Sequence, residues 1–108
     1  MADLFSRREK GFEAKYQLDQ ELAFKAGSRR NKLLGLWLAE KFGLAGAEAD
    51  AYAREVVVAD MDEPGIEDVM RKVMKDIAER NVAVTEQQVR DKIAELEPIA
   101  VAQVREES

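Results

Sequence analysis

Apolar residues recur at helical spacing in four stretches of the chain, and Gly, Pro and Asn separate these stretches. Spacings of three or four residues place side chains on one face of an α-helix. The breaks fall at Gly43 to Gly46, at Pro64-Gly65 and from Asn81 to Val84, where such residues favour turns. The pattern therefore predicts helices over about residues 18–42, 47–61, 66–80 and 86–105.

The same spacing predicts which side of each helix faces a core. Alternating, strand-like segments are nearly absent, and the β-branched run Val56-Val57-Val58 lies inside a helical pattern. Loops of about 3–5 residues join antiparallel helices, so we predict an all-α fold, an antiparallel four-helix bundle. The predicted core positions are Leu22, Ala26, Leu33, Leu36 and Trp37, then Tyr52, Val56 and Ala59, then Val69, Met70, Val73, Met74 and Ile77, and finally Val89, Ile93, Leu96 and Ala100.

Three signals mark helix ends. Gly43 can adopt the left-handed conformation that terminates a helix. Thr85 followed three residues later by Gln88 forms a capping box that opens the last helix. Pro98 would clash with the carbonyl of Ala94, so we expect it to kink or end that helix.

The first 17 residues differ from the rest, because their apolar residues form a sparse aromatic stripe. Phe5, Phe12 and Tyr16 share one helical face, and the capping box of Ser6 and Glu9 would start a helix at Arg7. A central glycine and the short length make such a helix marginal alone. We predict a mobile N-terminal arm over residues 1–17, helical once a groove covers its stripe, and a bundle over residues 18–108. A terminus without function, or one folded back on the bundle, is the alternative.

The amino-acid composition limits the catalytic and metal-binding chemistry that the chain can perform. The chain has 108 residues, enough for one domain, and neither Cys nor His. That removes thiol nucleophiles, the commonest general base and the commonest metal ligands, so we do not expect an enzyme. Glycine-rich phosphate loops are absent, and the calcium-loop-like start at Asp60 has Arg71 where the bidentate Glu belongs. Apolar runs of membrane-span or signal-peptide type are also absent, which favours a soluble intracellular protein.

Charge is distributed unevenly. The first 35 residues hold 8 basic and 5 acidic side chains, and the remainder holds 9 basic and 17 acidic ones. An acidic body argues against general nucleic-acid binding. The basic quartet Arg29-Arg30-Asn31-Lys32 could grip phosphate or nucleic acid, or could pair with acidic faces of the other helices. Trp37 is expected in the core rather than as a stacking platform.

Several longer runs resemble one bacterial family, the zeta subunits that inhibit alphaproteobacterial F-type ATP synthases. The most specific block is Arg29 to Ala39, RRNKLLGLWLA. Other matching runs are Phe12 to Tyr16, Asp19 to Lys25, Ala51 to Val57 and Glu67 to Val73. Gly27-Ser28 and Ala45 depart from the pattern, where better helix formers and a capping hydroxyl would be expected.

This resemblance implies a fold and a function. Members are four-helix bundles whose mobile arm becomes helical and wedges between an alpha and a beta subunit, reaching the gamma shaft and blocking ATP hydrolysis. The implied partners are therefore the alpha, beta and gamma subunits, on the cytoplasmic face of the membrane-bound enzyme, without nucleic acid or direct membrane insertion. No cofactor is implied as required, and weak binding of ATP or ADP is left open. The matching arm positions are Leu4, Phe5, Arg7, Arg8, Phe12 and Tyr16, with Lys10 and Lys15 as flanking charges.

The residues alone also allow two other functions. One is a regulatory bundle that binds adenine nucleotide and signals without an inhibitory arm. The other is a helical nucleic-acid adaptor that uses Arg29 to Lys32. Titration with ATP, ADP and RNA would separate these two.

Overall fold

A computed structural model describes the backbone of residues 2–60 and 66–107, and the side chains of residues 20–60 and 66–107. These residues form four α-helices and no strand: α1 (Ala2–Lys41), α2 (Ala47–Ala59), α3 (Glu67–Arg80) and α4 (Glu86–Glu107). The predicted all-α four-helix bundle is therefore confirmed. The calcium-loop-like segment beyond Asp60 falls largely on residues 61–65, outside the described residues.

Neighbouring helices run antiparallel along the contacts that join them. The side chain of Asn31 in α1 reaches Asp60 at the end of α2, whereas Phe42 after α1 packs edge-on against Tyr52 near the start of α2. Arg29 contacts Glu107 at the end of α4. The fold therefore places α1 between α2 and α4, and each of these helices runs in the opposite direction to α1.

One apolar cluster holds the described helices together. Its members from α2 to α4 match the predicted faces: Tyr52, Val56, Val69, Met70, Val73, Ile77, Val89, Ile93 and Leu96 are buried in it, and Ala100 is buried as well. The predicted face of α1 is correct at Ala26, which is buried, but further along the helix it is wrong by one position. Leu34 and Leu38 are fully buried, whereas Leu33 and Trp37 are only partly buried against the cluster.

A close backbone approach explains the orientation of α1. Gly35 lies against α2, where a Cβ atom added to it would be 2.6 Å from the Cα atom of Ala53 and 3.2 Å from Cγ2 of Val56. Only a residue without a side chain allows the two helices to pack at this distance. This contact places Leu34 and Leu38 in the core.

The helix ends follow the predicted capping signals, with one exception. Gly43 (φ 78°) and Asn81 (φ 59°) are left-handed at the ends of α1 and α3. Thr85 N–H donates to Gln88 Oε1 (2.9 Å), and Gln88 N–H donates to Thr85 Oγ1 (3.1 Å), so the capping box is confirmed. Pro98 lies inside α4, which continues to Glu107. The prediction that it could end the helix is wrong, because the buried side chains of Leu96 and Ala100 on either side of it hold the helix against the bundle; the alternative, a kink, stays a prediction.

Candidate functional site

The predicted arm belongs to α1, which runs without a break from Ala2. The helix therefore starts before Arg7, and the capping box of Ser6 and Glu9 does not mark its beginning. A helix of 40 residues is about 60 Å long, close to the 65 Å maximum extent of the molecule. The side chains predicted to act lie outside the described side chains, so their roles and the arm's mobility stay predictions: Leu4, Phe5, Arg7, Arg8, Lys10, Phe12, Lys15 and Tyr16.

Arg29 fixes α1 to the last turn of α4. Its Nη1 atom donates to Gln103 Oε1 (3.0 Å), and its Nη2 atom donates to both carboxylate oxygens of Glu107 (2.6 and 2.7 Å). Hydrogen bonds between a guanidinium and a carboxylate are among the stronger polar contacts in proteins. Here they lie one turn beyond Ala26, where the described core begins.

Arg30 and Asn31 form a second polar cluster that joins α1 to α2 and α4. Asn31 is 1% exposed, and its amide donates to Asp60 Oδ2 (3.0 Å) while its Oδ1 atom accepts from Arg30 Nε (3.2 Å) and Nη2 (3.1 Å). Arg30 Nη1 also donates to Glu97 Oε2 (2.9 Å). Among the alternatives for the basic quartet, pairing with the acidic faces of the bundle is confirmed for Arg29 and Arg30.

The burial of Asn31 was not predicted from the sequence. A lone Asn between Arg30 and Lys32 looks like part of a solvated face. Only the buried Leu34, one helical turn away, and the Asp60 carboxylate make it an internal connector. The signal available in the sequence was weak: Asn31 lies three residues before Leu34, on the same helical face.

Replacing Asn31 with aspartate is expected to destabilise the fold by about 2–3 kcal/mol at neutral pH, because a donor to Asp60 becomes a second buried carboxylate oxygen about 3 Å away. Repulsion from Asp60 raises the pKa of the new carboxyl above the value of about 3.9 that it has in the unfolded chain, and the Arg30 guanidinium, which bonds the other oxygen, opposes part of this rise. The variant therefore loses the most stability, relative to the unchanged protein, at pH values above the raised pKa. The loss becomes smaller as the pH falls toward 4. Urea denaturation of both proteins from pH 7 to pH 4 measures it.

Asn81→Asp is a matched control, because it adds the same charge at an exposed left-handed helix end. We expect it to cost less than about 1 kcal/mol, with the small penalty of a negative charge near a helix C-terminus. Equal losses in the two variants would show that the Asn31 contacts do not carry the effect.

Tyr52 is another buried polar group, and its role is structural. Its hydroxyl donates to Asp76 Oδ2 (2.8 Å), which also accepts from Lys72 Nζ (3.0 Å). Burial, and then the hydrogen bond to Asp76, raise the pKa of the Tyr52 phenol well above its ordinary value. The phenol therefore stays protonated at neutral pH and ties α2 to α3.

Trp37 packs against the core from the side, as expected of a core residue rather than a free stacking platform. The ammonium groups of Lys41 and Lys92 each lie 5.4 Å from its ring centroid. At this distance an ammonium group is attracted to the electron-rich face of an indole. This tryptophan therefore links α1 to α4 at the end of the bundle far from the arm.

Among the described residues, no group of three or more His, Cys, Asp or Glu side chains is arranged to hold a metal ion. The described helices also include none with the length and apolarity that a bilayer crossing requires. The surface does contain two adjoining grooves of about 360 and 370 Å³ that share Lys32 and Val57 in their walls.

One comparison with known proteins identifies a family. A family model described as ATPase inhibitor subunit zeta matches residues 1–103. A protein whose structure was determined in solution by NMR is 52% identical, with a TM-score of 0.69, over 79% of this chain and 96% of that one. No protein with a curated description matches the chain.

Proposed function

The chain belongs to the ATPase inhibitor subunit zeta family, and from this premise we propose that it blocks the ATP-hydrolysis direction of an F-type ATP synthase. In this proposal the N-terminal arm of α1 inserts at an interface of the alpha, beta and gamma subunits, in the catalytic head on the cytoplasmic side. The observation that carries the proposal is the family match, since it spans residues 1–103 and so includes the arm as well as the bundle.

The architecture supports a steric mechanism. α1 has 40 residues and α4 has 22, so α1 is far longer than the helices it packs against. Glu107, at the end of α4, contacts Arg29, and the arm at residues 1–17 lies on the N-terminal side of this contact. A helix inserted between subunits obstructs their movement by its volume, which requires no bond-making chemistry.

An inserted arm also needs a firm base, because an obstacle that swings freely can be pushed aside. The base of α1 is held at three kinds of contact: the Arg29–Glu107 pair, the buried Asn31–Asp60 hydrogen bond and the close approach at Gly35. Together they connect α1 to both α4 and α2. Force on the arm would therefore be resisted by the whole bundle rather than by one flexible joint.

Deletion of residues 1–17 tests the proposal. The described core begins at Ala26, so the truncated chain should retain its helical circular dichroism and a cooperative thermal transition. In ATPase assays on the purified enzyme, we expect the full chain to inhibit hydrolysis and the truncated chain to lose inhibition. ATP synthesis by the same enzyme in energised vesicles should be little affected by either.

Charge reversal at Glu106, on the exposed surface of α4, is the control and should leave inhibition intact. Equal potency of the full and truncated chains would refute the arm mechanism. If that potency also varied with ATP or ADP bound to the isolated chain, the nucleotide-sensing alternative would be favoured instead.

A further inference from the structure

An exposed apolar and cationic surface lies where α1 leaves the bundle. Phe24 is 67% exposed and Val58 is 60% exposed, although both are large apolar residues. Phe24 lines one of two adjoining grooves and Val58 lines the other, and the grooves meet at Lys32 and Val57. We name this surface the Phe24 face, and define it by six residues: Phe24, Lys25, Lys32, Arg54, Val57 and Val58.

The cations of the Phe24 face are not used inside the bundle. Most described Lys and Arg side chains form ion pairs or lie over aromatic rings, as Arg29 and Lys92 do. Among the described residues, the side chains for which neither kind of contact is present are Lys25, Lys32, Arg54 and Arg105. Three of these four lie on the Phe24 face, beside its exposed apolar residues.

The acidic residues lining the two grooves do not cancel this charge. Glu107 is already paired with Arg29. Asp50 is then the one remaining acidic residue in the described linings, where the Phe24 face contributes three cations. The chain as a whole carries a net charge of −5. A local cationic patch on an acidic protein, combined with exposed apolar residues, is typical of a surface that meets an acidic partner.

We propose that the Phe24 face is a second docking surface, which binds an acidic protein surface with exposed apolar residues at the mouth of the cleft that receives the arm. This inference rests on the proposed function. Continuity along α1 supports it: Phe24 follows Tyr16 by eight residues, about 12 Å along the helix. A partner surface at the rim of the cleft, about 12 Å from the position of Tyr16, would therefore contact the Phe24 face when the arm enters.

Charge argues against the arm itself as the occupant. The arm carries four basic side chains and three acidic ones, a net charge of +1, so folding back would place a cationic segment against the cations of the Phe24 face. Like charges at close range oppose such folding back. The face is therefore left available to a partner.

Charge reversal of two groove cations tests the proposal. Lys32→Glu combined with Arg54→Glu in the full chain should raise the concentration for half-inhibition of the ATPase about tenfold at low salt, and less at high salt, where screening weakens steering. The matched control is Lys75→Glu combined with Arg105→Glu, since both residues are exposed and outside the face. It makes the same change in net charge and should shift potency less than about twofold.

Truncation of an apolar side chain tests the proposal independently. Phe24→Ala should weaken inhibition about tenfold, because it removes an aromatic anchor from the proposed contact. Ile99→Ala, at an exposed apolar residue of α4, should not. Thermal melting checks that all variants are folded. We expect them to be folded, because the replaced side chains are exposed.

The outcomes separate this inference from the proposed function. If face variants and controls inhibit equally while deletion of residues 1–17 still abolishes inhibition, the docking surface is refuted and the arm mechanism stands. If the deletion has no effect, the proposed function fails, and this inference fails with it. If the face variants instead abolish self-association, or binding to RNA or anionic vesicles, with potency unchanged, the partner proposed here is wrong.

Discussion

Replacing Gly35 with alanine is expected to destabilise the bundle by about 2–3 kcal/mol, although alanine favours helices. The added Cβ atom would lie 2.6 Å from the Cα atom of Ala53, and 3.2 Å from Cβ of Ala53 and Cγ2 of Val56. A contact with backbone cannot be relieved by rotating a side chain, so α1 and α2 must move apart. Because domains have about 5–15 kcal/mol of stability in total, this is a large loss.

Gly27→Ala makes the same chemical change in the same helix and should have the opposite sign. A Cβ atom at Gly27 would meet nothing within 4 Å, so only the gain in helix propensity remains, about 0.5–1 kcal/mol. Urea denaturation measures both effects, and each kcal/mol corresponds to roughly 4–8 °C in melting temperature for a domain of this size. A Gly35→Ala protein as stable as its parent would show that the helices are not packed this closely.

The fold was predictable because local signals agree with one another. In α3 the spacing of Val69, Val73 and Ile77 specifies one buried face, and all three are buried. At the start of α4, Thr85 and Gln88 form both reciprocal hydrogen bonds of a capping box. These features depend on residues close in sequence, so they need no knowledge of the tertiary structure.

The orientation of α1 depends on a tertiary contact, and the sequence prediction was wrong there. Residues 33–39 include apolar side chains on every side of the helix, so their spacing does not select one face. The buried face is selected by the contact of Gly35 with Ala53. Two lysine ammonium groups then lie over the Trp37 ring.

The polar part of the site was predictable only as a set of alternatives. Arg29 and Arg30 have acidic partners 78 and 67 positions away in the sequence, so a pattern could suggest pairing but not the partners. Asp60 has a buried oxygen, Oδ1, with no hydrogen-bond partner among the described residues. Its other oxygen is held by Asn31, a role that no local pattern indicates.

The base of α1, from Arg29 to Gly35, and the arm differ in the kinds of residue they contain. This difference fits our proposal that the base holds the helix in place and the arm binds the partner. The base uses buried polar contacts and a close helix approach, and these contacts fix a single geometry. The arm has a sparse aromatic stripe, Gly11 and four basic residues, a composition that gives little stability to an isolated helix. Its binding energy must therefore come from the partner, chiefly through apolar burial.

Phe5→Ala combined with Phe12→Ala is accordingly expected to abolish inhibition almost as fully as deletion of the arm. A fully buried aromatic side chain contributes roughly 1.5–3 kcal/mol relative to an exposed one. Loss of both therefore removes about 3–6 kcal/mol of binding, and each 1.4 kcal/mol is a factor of ten. We expect the concentration for half-inhibition of the ATPase to rise at least about 100-fold.

The matched control is Asp3→Ala combined with Gln17→Ala, because these positions lie about 120–160° around the helix from Phe5 at about 100° per residue. Phe5→Leu with Phe12→Leu tests the chemistry further: it retains apolar area without the rings and should keep part of the inhibition. Thermal melting should be unchanged in all three double variants, because the described core begins at Ala26. Full potency of the alanine pair would mean that the aromatic stripe does not enter the cleft, and the basic residues Arg7 and Arg8 would then have to carry the contact.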